Sequence, residues 1–271
     1  MANALEVRDL TKIFFQQTPR GPAGLLVLDE VAFSVARGEF VSVLGPSGCG
    51  KTTLARIIVG IEDAASGEVL IDGAPAGPSG PNRCLVFQNY GLLPWRTVLA
   101  NVELGLELQD TGKRERREIA QRYIDLVGLK GFENRFPHQI SGGMQQRTGL
   151  ARALATQPRM LIMDEPFGAV DAQMRTLLQD ELLRICDLMS MTVLFVTHSI
   201  DEAVYLSDRI VVFSARPGRP VAEIQVDLPR PRTDASRSHP RFSEIRKQVS
   251  DVLTERTDYY GGDHRKAIQT D

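Results

Sequence analysis

The sequence predicts an α/β fold in which helices cover both faces of a mainly parallel β-sheet. Strand-length apolar runs alternate with helical stretches in the second half of the 271 residues, and a strand–turn–helix unit stands near residue 45. Alternation of this kind is typical of parallel sheets. The stretch from about residue 89 to residue 157 interrupts it, and we interpret this stretch as an inserted helical subdomain.

The strands are predicted from short apolar runs between glycine, proline or charged residues. Alternation at residues 31–35 indicates a half-buried strand, whereas the continuous run at 40–44 indicates a strand buried on both faces. The next run lies between two turn glycines, Gly67 and Gly73. The predicted strands are 31–35, 40–44, 67–73, 84–87, 160–163, 192–196 and 209–213.

The helices are predicted from longer segments with a charged face and from their stop signals. Pro158 ends one of them, and the 228–241 segment, rich in proline, arginine and serine, is predicted as a loop. The last residues, 259–271, contain few apolar side chains and are predicted to be loosely held. The predicted helices are 52–59, those within 97–129, then 144–155, 170–189, 200–206 and 242–253.

Composition and charge narrow the class of function. The formal net charge of -2 argues against a large basic surface for nucleic acid. Cys49, Cys84 and Cys186 form no C-x-x-C pair, which favours a reducing compartment over a disulfide framework or a zinc site. No apolar run approaches the ~20 residues of a spanning helix, and the first residues lack a signal-peptide core. We therefore expect a cytoplasmic protein.

Residues 45–52 (GPSGCGKT) match the phosphate-binding pattern G-x-x-x-x-G-K-[ST]. The strand before them and the helix after them disfavour an ordinary glycine-rich turn. Lys51 would reach the β- and γ-phosphates of a nucleotide, and the Thr52 hydroxyl would ligate Mg²⁺. The residues predicted to bind the nucleotide here are Gly45, Pro46, Ser47, Gly48, Cys49, Gly50, Lys51, Thr52 and Thr53.

Two adjacent carboxylates, Asp164 and Glu165, follow the apolar run 160–163. Neighbouring side chains on a strand point in opposite directions, so these two can do different work. Asp164 would hold Mg²⁺, and Glu165 would polarise the attacking water. A strand that ends in two solvated acids is the alternative, and the phosphate loop in the same chain makes it the weaker one.

Residues 141–147 (SGGMQQR) begin the helix predicted at 144–155. A serine hydroxyl at a helix N-terminus, followed by Gly142 and Gly143, suits an anion, although a simple N-cap is the alternative. One triphosphate already has a cradle at 45–52, so a second phosphate-binding segment requires an explanation. A nucleotide shared between two subunits provides one.

The SGGMQQR segment resembles the signature motif of ATP-binding-cassette (ABC) ATPases, and the other motifs occur in that family's order. The resemblance spans roughly residues 5–226. It implies a P-loop NTPase cassette with a mainly parallel sheet core, an antiparallel β part and an inserted helical subdomain. It also implies a head-to-tail dimer, in which Ser141 and Gly143 of one subunit hold the ATP bound by the other's phosphate loop.

The same resemblance assigns roles to single residues. Gln88 matches the glutamine of the Q-loop, which contacts Mg²⁺ and couples to the membrane partner. Asp171 matches the D-loop, which crosses the dimer interface. His198 matches the switch histidine that contacts the γ-phosphate, whereas a lone histidine after an apolar strand is more often a core residue. Phe14 stands where the family stacks an aromatic ring on adenine, with Phe15 as a close rival.

The predicted catalytic residues are therefore Glu165, His198 and Gln88. The predicted Mg²⁺ ligands are Thr52, Gln88 and Asp164. Ile140 and Val170 replace leucines that the family often carries, and these apolar changes leave the expected activity intact. Trp95, just after the Q-loop position, is either a core residue or an exposed element that docks on a partner.

These observations predict the ATP-hydrolysing subunit of a bacterial ABC importer. It would bind ATP and Mg²⁺, form a homodimer and drive separate transmembrane permease subunits from the cytoplasmic face of the inner membrane. A solute-binding protein would take part indirectly, and no nucleic-acid partner is expected. The predicted domains are an ABC ATPase domain at 1–228, with the helical subdomain inserted, and a C-terminal loop, helix and tail at 229–271.

Only the resemblance to known importers narrows the range of candidate solutes. Segments 92–95, 166–168, 216–219 and 228–232 resemble the nitrate/sulfonate/taurine branch of importers. This implies a small anion such as nitrate, an aliphatic sulfonate or taurine. The alternatives are another solute, such as bicarbonate or a pyrimidine or thiamine precursor, and a cassette ATPase without a transport role.

Overall fold

The computed structural model describes residues 3–19, 21–80, 82–87, 89–168 and 170–258. Within them the strands are β1 (Asn3–Thr18), β2 (Gly21–Ala36), β3 (Phe40–Leu44), β4 (Ser66–Ile71), β5 (Ala74–Pro75), β6 (Arg83–Val86), β7 (Met160–Asp164), β8 (Thr192–Thr197), β9 (Arg209–Phe213) and β10 (Pro220–Gln225). The helices are α1 (Lys51–Val59), α2 (Val98–Leu108), α3 (Lys113–Leu126), α4 (Gly142–Ala155), α5 (Ala172–Met189), α6 (Ile200–Leu206), α7 (Asp234–Arg237) and α8 (Pro240–Asp258). The predicted tail at 259–271 lies outside the described residues.

The chain divides into two compact units, Met1–Ser79 with Leu194–Asp271, and Gly80–Val193. The first unit holds an antiparallel sheet with strand order β2-β1-β4-β5. In the same unit β10, β9, β3 and β8 lie side by side, with β3 parallel and β10 antiparallel to β9. The fold is thus α/β with both parallel and antiparallel strands.

Two elements of the first unit fix the ends of the phosphate loop. Every residue of β3 is buried, as its unbroken apolar sequence predicts for a strand covered on both faces. α1 buries one apolar face and ends at Gly60, whose left-handed conformation lets its N–H bond to the Arg56 and Ile57 carbonyls. The residues between Leu44 and Lys51 are therefore held between a buried strand and a capped helix.

The second unit contains the parallel pair β6 and β7, the packed helices α2, α3 and α4, and then α5. Helices α2 to α4 fall within the segment where a helical subdomain is expected. The Thr97 hydroxyl caps α2 by accepting the Ala100 N–H at 3.2 Å. The boundaries at 89–157 and at 228 remain predictions.

The structure corrects several predicted elements. β1 and β10 were not predicted, and β2 begins ten residues before the predicted strand. These strands pair with shifts of register, and such shifts interrupt the alternation of apolar and polar residues by which a strand is recognised in a sequence. The 228–241 segment was predicted as a loop, but it contains α7 and the start of α8. Pro240 misled the prediction, since proline is well tolerated in the first turn of a helix. Within the described residues, no helix is both long and apolar enough to cross a membrane.

Candidate nucleotide-binding and catalytic site

The phosphate loop joins β3 to α1, and its last turn requires glycine. Gly50 has a φ of 105° at the N-cap of α1. A Cβ at this position would lie 2.8 Å from Leu28 Cδ2 and 3.1 Å from the Val27 carbonyl oxygen. Gly50 also supplies no side-chain acceptor to the first turn of α1. The N-terminus of this helix is therefore shaped to receive an anion from outside the chain.

The Lys51 side chain turns back to the first residues of the loop. Its Nζ donates to the carbonyls of Gly45 at 2.8 Å and Pro46 at 3.0 Å, and the residue is only 4% exposed. In the described part of the chain, these acceptors and the Cys49 sulfur at 3.9 Å are all uncharged groups. Because a buried cation is stabilised by a counter-charge, the loop fits a phosphate group.

Cys49 is a buried residue inside the same loop. Burial raises the pKa of its thiol, and the positive charge of Lys51 opposes this only in part. The side chain therefore stays protonated near neutral pH and fills space within the loop.

Asp164 and Glu165 lie at a strand end, but only one of them belongs to the strand. Asp164 is the last residue of β7 and is 8% exposed. Glu165 has a φ of 46°, and its carbonyl accepts the Gly168 N–H at 3.1 Å, so it begins a turn. The expectation that both side chains follow strand alternation was wrong, because the turn and not the pleat sets the direction of Glu165.

His198 lies between β8 and α6 and is exposed. The Thr197 hydroxyl donates to Glu202 Oε2 at 2.6 Å and accepts the Ser199 N–H at 3.0 Å, which fixes the turn that carries the histidine. Ser199 in turn caps α6. The structure therefore contradicts the alternative of a buried core histidine and presents the ring to solvent.

Ser141 and Asp171 each cap a helix of the second unit. Ser141 Oγ accepts the Met144 N–H at 3.3 Å at the start of α4, and Asp171 Oδ1 accepts the Met174 N–H at 3.0 Å at the start of α5. Both residues are exposed, and so is Gly142, whereas Gly143 is buried against Met174. The N-cap alternative for Ser141 is thus observed. It leaves the hydroxyl proton available for an acceptor outside the chain.

Phe14 and Phe15 lie on opposite sides of β1. Phe14 shares its side with Lys12, whose Nζ is 4.7 Å from the ring centroid. Lys12 also binds Glu62 at 2.7 Å, just beyond the end of α1, so this side of β1 faces the phosphate-loop helix. Phe15 is 76% exposed. The geometry favours Phe14 over Phe15 as a partner for adenine.

Gln88 lies outside the described residues, but the chain just after it is well ordered by an arginine of α4. Arg152 donates to the carbonyls of Tyr90 and Gly91, each at 2.6 Å. Sequence reasoning missed Arg152, because an arginine within a helix carries no signal that it ties down a distant loop.

Trp95 is 72% exposed, so the alternative of a core residue is wrong. Its loop is shaped by the fully buried Asn101, which accepts the Leu93 N–H at 2.8 Å and donates to the Leu93, Arg96 and Thr97 carbonyls. The tryptophan is therefore presented to solvent by a rigid loop.

The described residues contain no group of three or more histidine, cysteine, aspartate and glutamate side chains that could hold a metal ion. Mg²⁺ in nucleotide sites usually takes only one or two protein ligands and completes its shell with phosphate and water, so such a group is not required for it.

Comparison with known proteins assigns the family. Residues 28–168 match the family described as ABC transporter. The chain is 52% identical over 92% of its length to the uncharacterized ABC transporter ATP-binding protein MJ0412 of Methanocaldococcus jannaschii, and covers 91% of that protein. It is 42% identical to the aliphatic sulfonates import ATP-binding protein SsuB of Bacillus cereus, with 90% of this chain and 94% of the relative covered.

Two further comparisons agree. The nitrate import ATP-binding protein NrtD of Synechococcus elongatus is 42% identical, with 88% of each protein covered. Among solved structures, the dimeric post-hydrolysis state of the ATP-binding cassette MJ0796 with ADP and Pi has a TM-score of 0.71 and 31% identity to this chain. The match covers 82% of this chain and 98% of the MJ0796 chain. The chain belongs to the ABC transporter family. It is an ATPase of that family.

Proposed function

We propose that this chain is the nucleotide-binding subunit of a bacterial importer and uses ATP hydrolysis to drive permease subunits in the membrane. The observation that carries the proposal is the phosphate loop, a turn that requires Gly50 and that buries the Lys51 ammonium among uncharged acceptors. Such a loop fits the β- and γ-phosphates of a nucleotide. The neighbouring Gly45, Ser47, Gly48 and Thr53 would line the same cradle.

The proposed Mg²⁺ ligands are polar side chains at the ends of two elements. Thr52 stands in the first turn of α1, and Asp164 ends β7. Their hydroxyl and carboxylate oxygens are ligands that Mg²⁺ accepts. Bound there, the ion would neutralise charge on the phosphate oxygens. Gln88 is the third predicted ligand.

Two further side chains would serve hydrolysis. The Glu165 carboxylate would accept a hydrogen bond from the attacking water and so act as general base. His198, held by the turn between Thr197 and Ser199, would donate to the γ-phosphate. Phe14 would stack on the adenine ring.

A second copy of the chain would complete the site. The exposed Ser141 hydroxyl keeps a proton to donate, and the adjacent exposed Gly142 leaves room for a phosphate. These features support a head-to-tail homodimer in which Ser141 and Gly143 of one copy hold ATP bound by the other, with Asp171 at the interface. The dimeric MJ0796 cassette supports dimerisation.

The named relatives support import of a small anion. One is named for import of aliphatic sulfonates and another for import of nitrate. We therefore propose nitrate, an aliphatic sulfonate or taurine as the solute, selected by the permease and a solute-binding protein. The chain would lie on the cytoplasmic face of the inner membrane.

A pull-down tests this proposal. The tagged Glu165→Gln chain is recovered with ATP from detergent-solubilised native membranes, and its partners are identified by mass spectrometry. We expect a stoichiometric permease with several membrane spans, whose solute-binding protein is then tested with sulfonates and nitrate. Recovery of soluble partners alone would contradict the transporter role.

The same experiment includes a matched pair of variants. Trp95→Ala removes an exposed aromatic side chain, and Leu188→Ala removes an apolar side chain of α5 with a similar exposure of 68%. We expect Trp95→Ala to lower permease recovery and Leu188→Ala to leave it unchanged.

A further inference from the structure

Residues 214–219, which we call the arginine turn, follow β9 in the first unit. The Ser214 N–H donates to the Arg219 carbonyl at 3.0 Å, and the Ser214 hydroxyl donates to the Pro217 carbonyl at 2.8 Å. The same hydroxyl oxygen accepts the Arg219 N–H at 3.1 Å. One serine thus closes the turn on itself and gives it a defined shape.

The arginine turn is also fixed to β2 and packed against the phosphate loop. The Gly218 N–H donates to the Val27 carbonyl at 2.8 Å, and the Gly218 carbonyl accepts the Asp29 N–H at 3.1 Å. A Cβ at Gly218 would overlap the Cys49 carbonyl oxygen. Only glycine permits this approach, so the turn lies directly against the loop.

Arg216 extends from this turn to the phosphate loop itself. Its Nε and Nη2 donate to the Gly48 carbonyl at 3.2 Å and 3.0 Å. Two donors from one planar guanidinium define the orientation of that carbonyl more narrowly than one donor would. Because the peptide between Gly48 and Cys49 is planar and trans, fixing its carbonyl also fixes its N–H, which points the opposite way.

We propose that Arg216 is a positioning residue for nucleotide binding. It holds the Gly48 carbonyl and so fixes the peptide that joins Gly48 to Cys49, whose N–H donates to the Pro46 carbonyl at 3.4 Å. Arg216 thereby keeps residues 46–49 in the turn that shapes the phosphate-binding loop. Its charge adds to the positive potential of the loop. This inference rests on the proposed function, because it takes residues 45–52 to bind the phosphates of ATP.

Four chains test it: the wild type, Arg216→Gln, Arg216→Lys and the control Arg219→Gln. Arg219 belongs to the same turn, but its side chain pairs with Asp29 at 3.9 Å. The measurements are ADP affinity by calorimetry, the KM and kcat of ATP hydrolysis, and the melting temperature without nucleotide.

We expect Arg216→Gln to weaken ADP binding and raise the KM for ATP by roughly fivefold, the effect of one lost charge-assisted hydrogen bond at an exposed site. The value of kcat and the melting temperature should change little. Arg216→Lys keeps the charge and one donor, so it should recover part of the affinity. Arg219→Gln should behave like the wild type.

Wild-type ADP affinity in Arg216→Gln would overturn the inference. Equal weakening of ADP binding by Arg219→Gln would also overturn it, and so would a weaker ADP affinity in Arg216→Gln that is accompanied by a lower melting temperature. Either result indicates that the turn has only a structural role. Failure of the wild-type chain to bind ADP would overturn the proposed function itself and this inference with it.

Discussion

The two segments that we propose to bind phosphate, residues 45–52 and 141–147, are built in opposite ways. Residues 45–52 are closed by their own unit, since Gly50 is packed against Val27 and Leu28 and Lys51 is buried. At 141–147, Ser141 and Gly142 are exposed, and a Cβ at Gly142 would meet nothing within 4 Å. The first segment is shaped from within, whereas the second presents a capped helix end to solvent. This difference is what a site shared between two copies requires.

Each unit contains an arginine that is paired with carboxylates, and within the described residues the number of carboxylate partners differs between the two arginines. In the first unit, Arg209 is 8% exposed and pairs with Glu39 and Glu223, each at 2.8 Å. In the second, Arg147 of the SGGMQQR segment pairs with Glu181 at 2.9 Å, and burial raises the Glu181 pKa although Arg147 opposes the shift. The inner side of α4 is therefore held to α5 by a partly buried ion pair, whereas the N-terminus of α4 is exposed.

The largest expected effect comes from Glu165→Gln. The amide cannot accept the proton of the attacking water, so ATP hydrolysis should fall about 100-fold or more while ATP binding persists. The closed dimer should accumulate with ATP, which size-exclusion chromatography measures. Retained hydrolysis would remove Glu165 from the role of base.

A smaller effect is expected from Ser141→Ala, and Thr97→Ala is its matched control. Both variants lose an N-cap hydroxyl, and each should lose about 1 kcal/mol of unfolding free energy. Only Ser141→Ala should lower hydrolysis by about tenfold or more, because only Ser141 is proposed to contact phosphate. ATP affinity of the monomer should stay the same in both. If Ser141→Ala and Thr97→Ala lowered ATPase activity equally, Ser141 would act only as a helix cap.

The smallest effect concerns the reactivity of Cys49, measured in a chain with Cys84→Ser and Cys186→Ser. Because burial raises the pKa of the Cys49 thiol, a smaller fraction is thiolate at any given pH than in an open thiol. Alkylation by N-ethylmaleimide should therefore be slower than that of glutathione at pH 7 and should accelerate as pH rises beyond the ordinary thiol range. Bound ATP should slow it further. Labelling as fast as glutathione at pH 7 would contradict a closed loop.

Sequence patterns predicted the parts whose chemistry is local. The phosphate loop follows from spacing and from the strand and helix beside it, and α1, α4 and α6 lie within one or two residues of their predicted starts or ends. The α/β class and the family were likewise confirmed. The roles of the individual site residues remain predictions.

What the sequence did not predict depends on contacts between distant residues. Arg232 donates to the Tyr205 carbonyl at 2.9 Å, and the Arg237 guanidinium lies 3.6 Å from the Tyr205 ring centroid, so a segment with a loop-like composition is ordered by α6. Arg152 and Arg216 likewise act on backbone carbonyls far along the chain. No local pattern marks an arginine whose partner is a carbonyl, because every residue type offers that acceptor.

The most direct test of the shared site uses covalently linked dimers in which both copies carry Glu165→Gln, and it counts occluded ATP. In one dimer, Ser141→Ala and Lys51→Ala lie on opposite copies; in the other, both lie on the same copy. If each site combines Lys51 of one copy with Ser141 of the other, the first dimer keeps one intact site and occludes one ATP, while the second occludes none. The reverse pattern would show that each copy builds its site alone and would contradict the account.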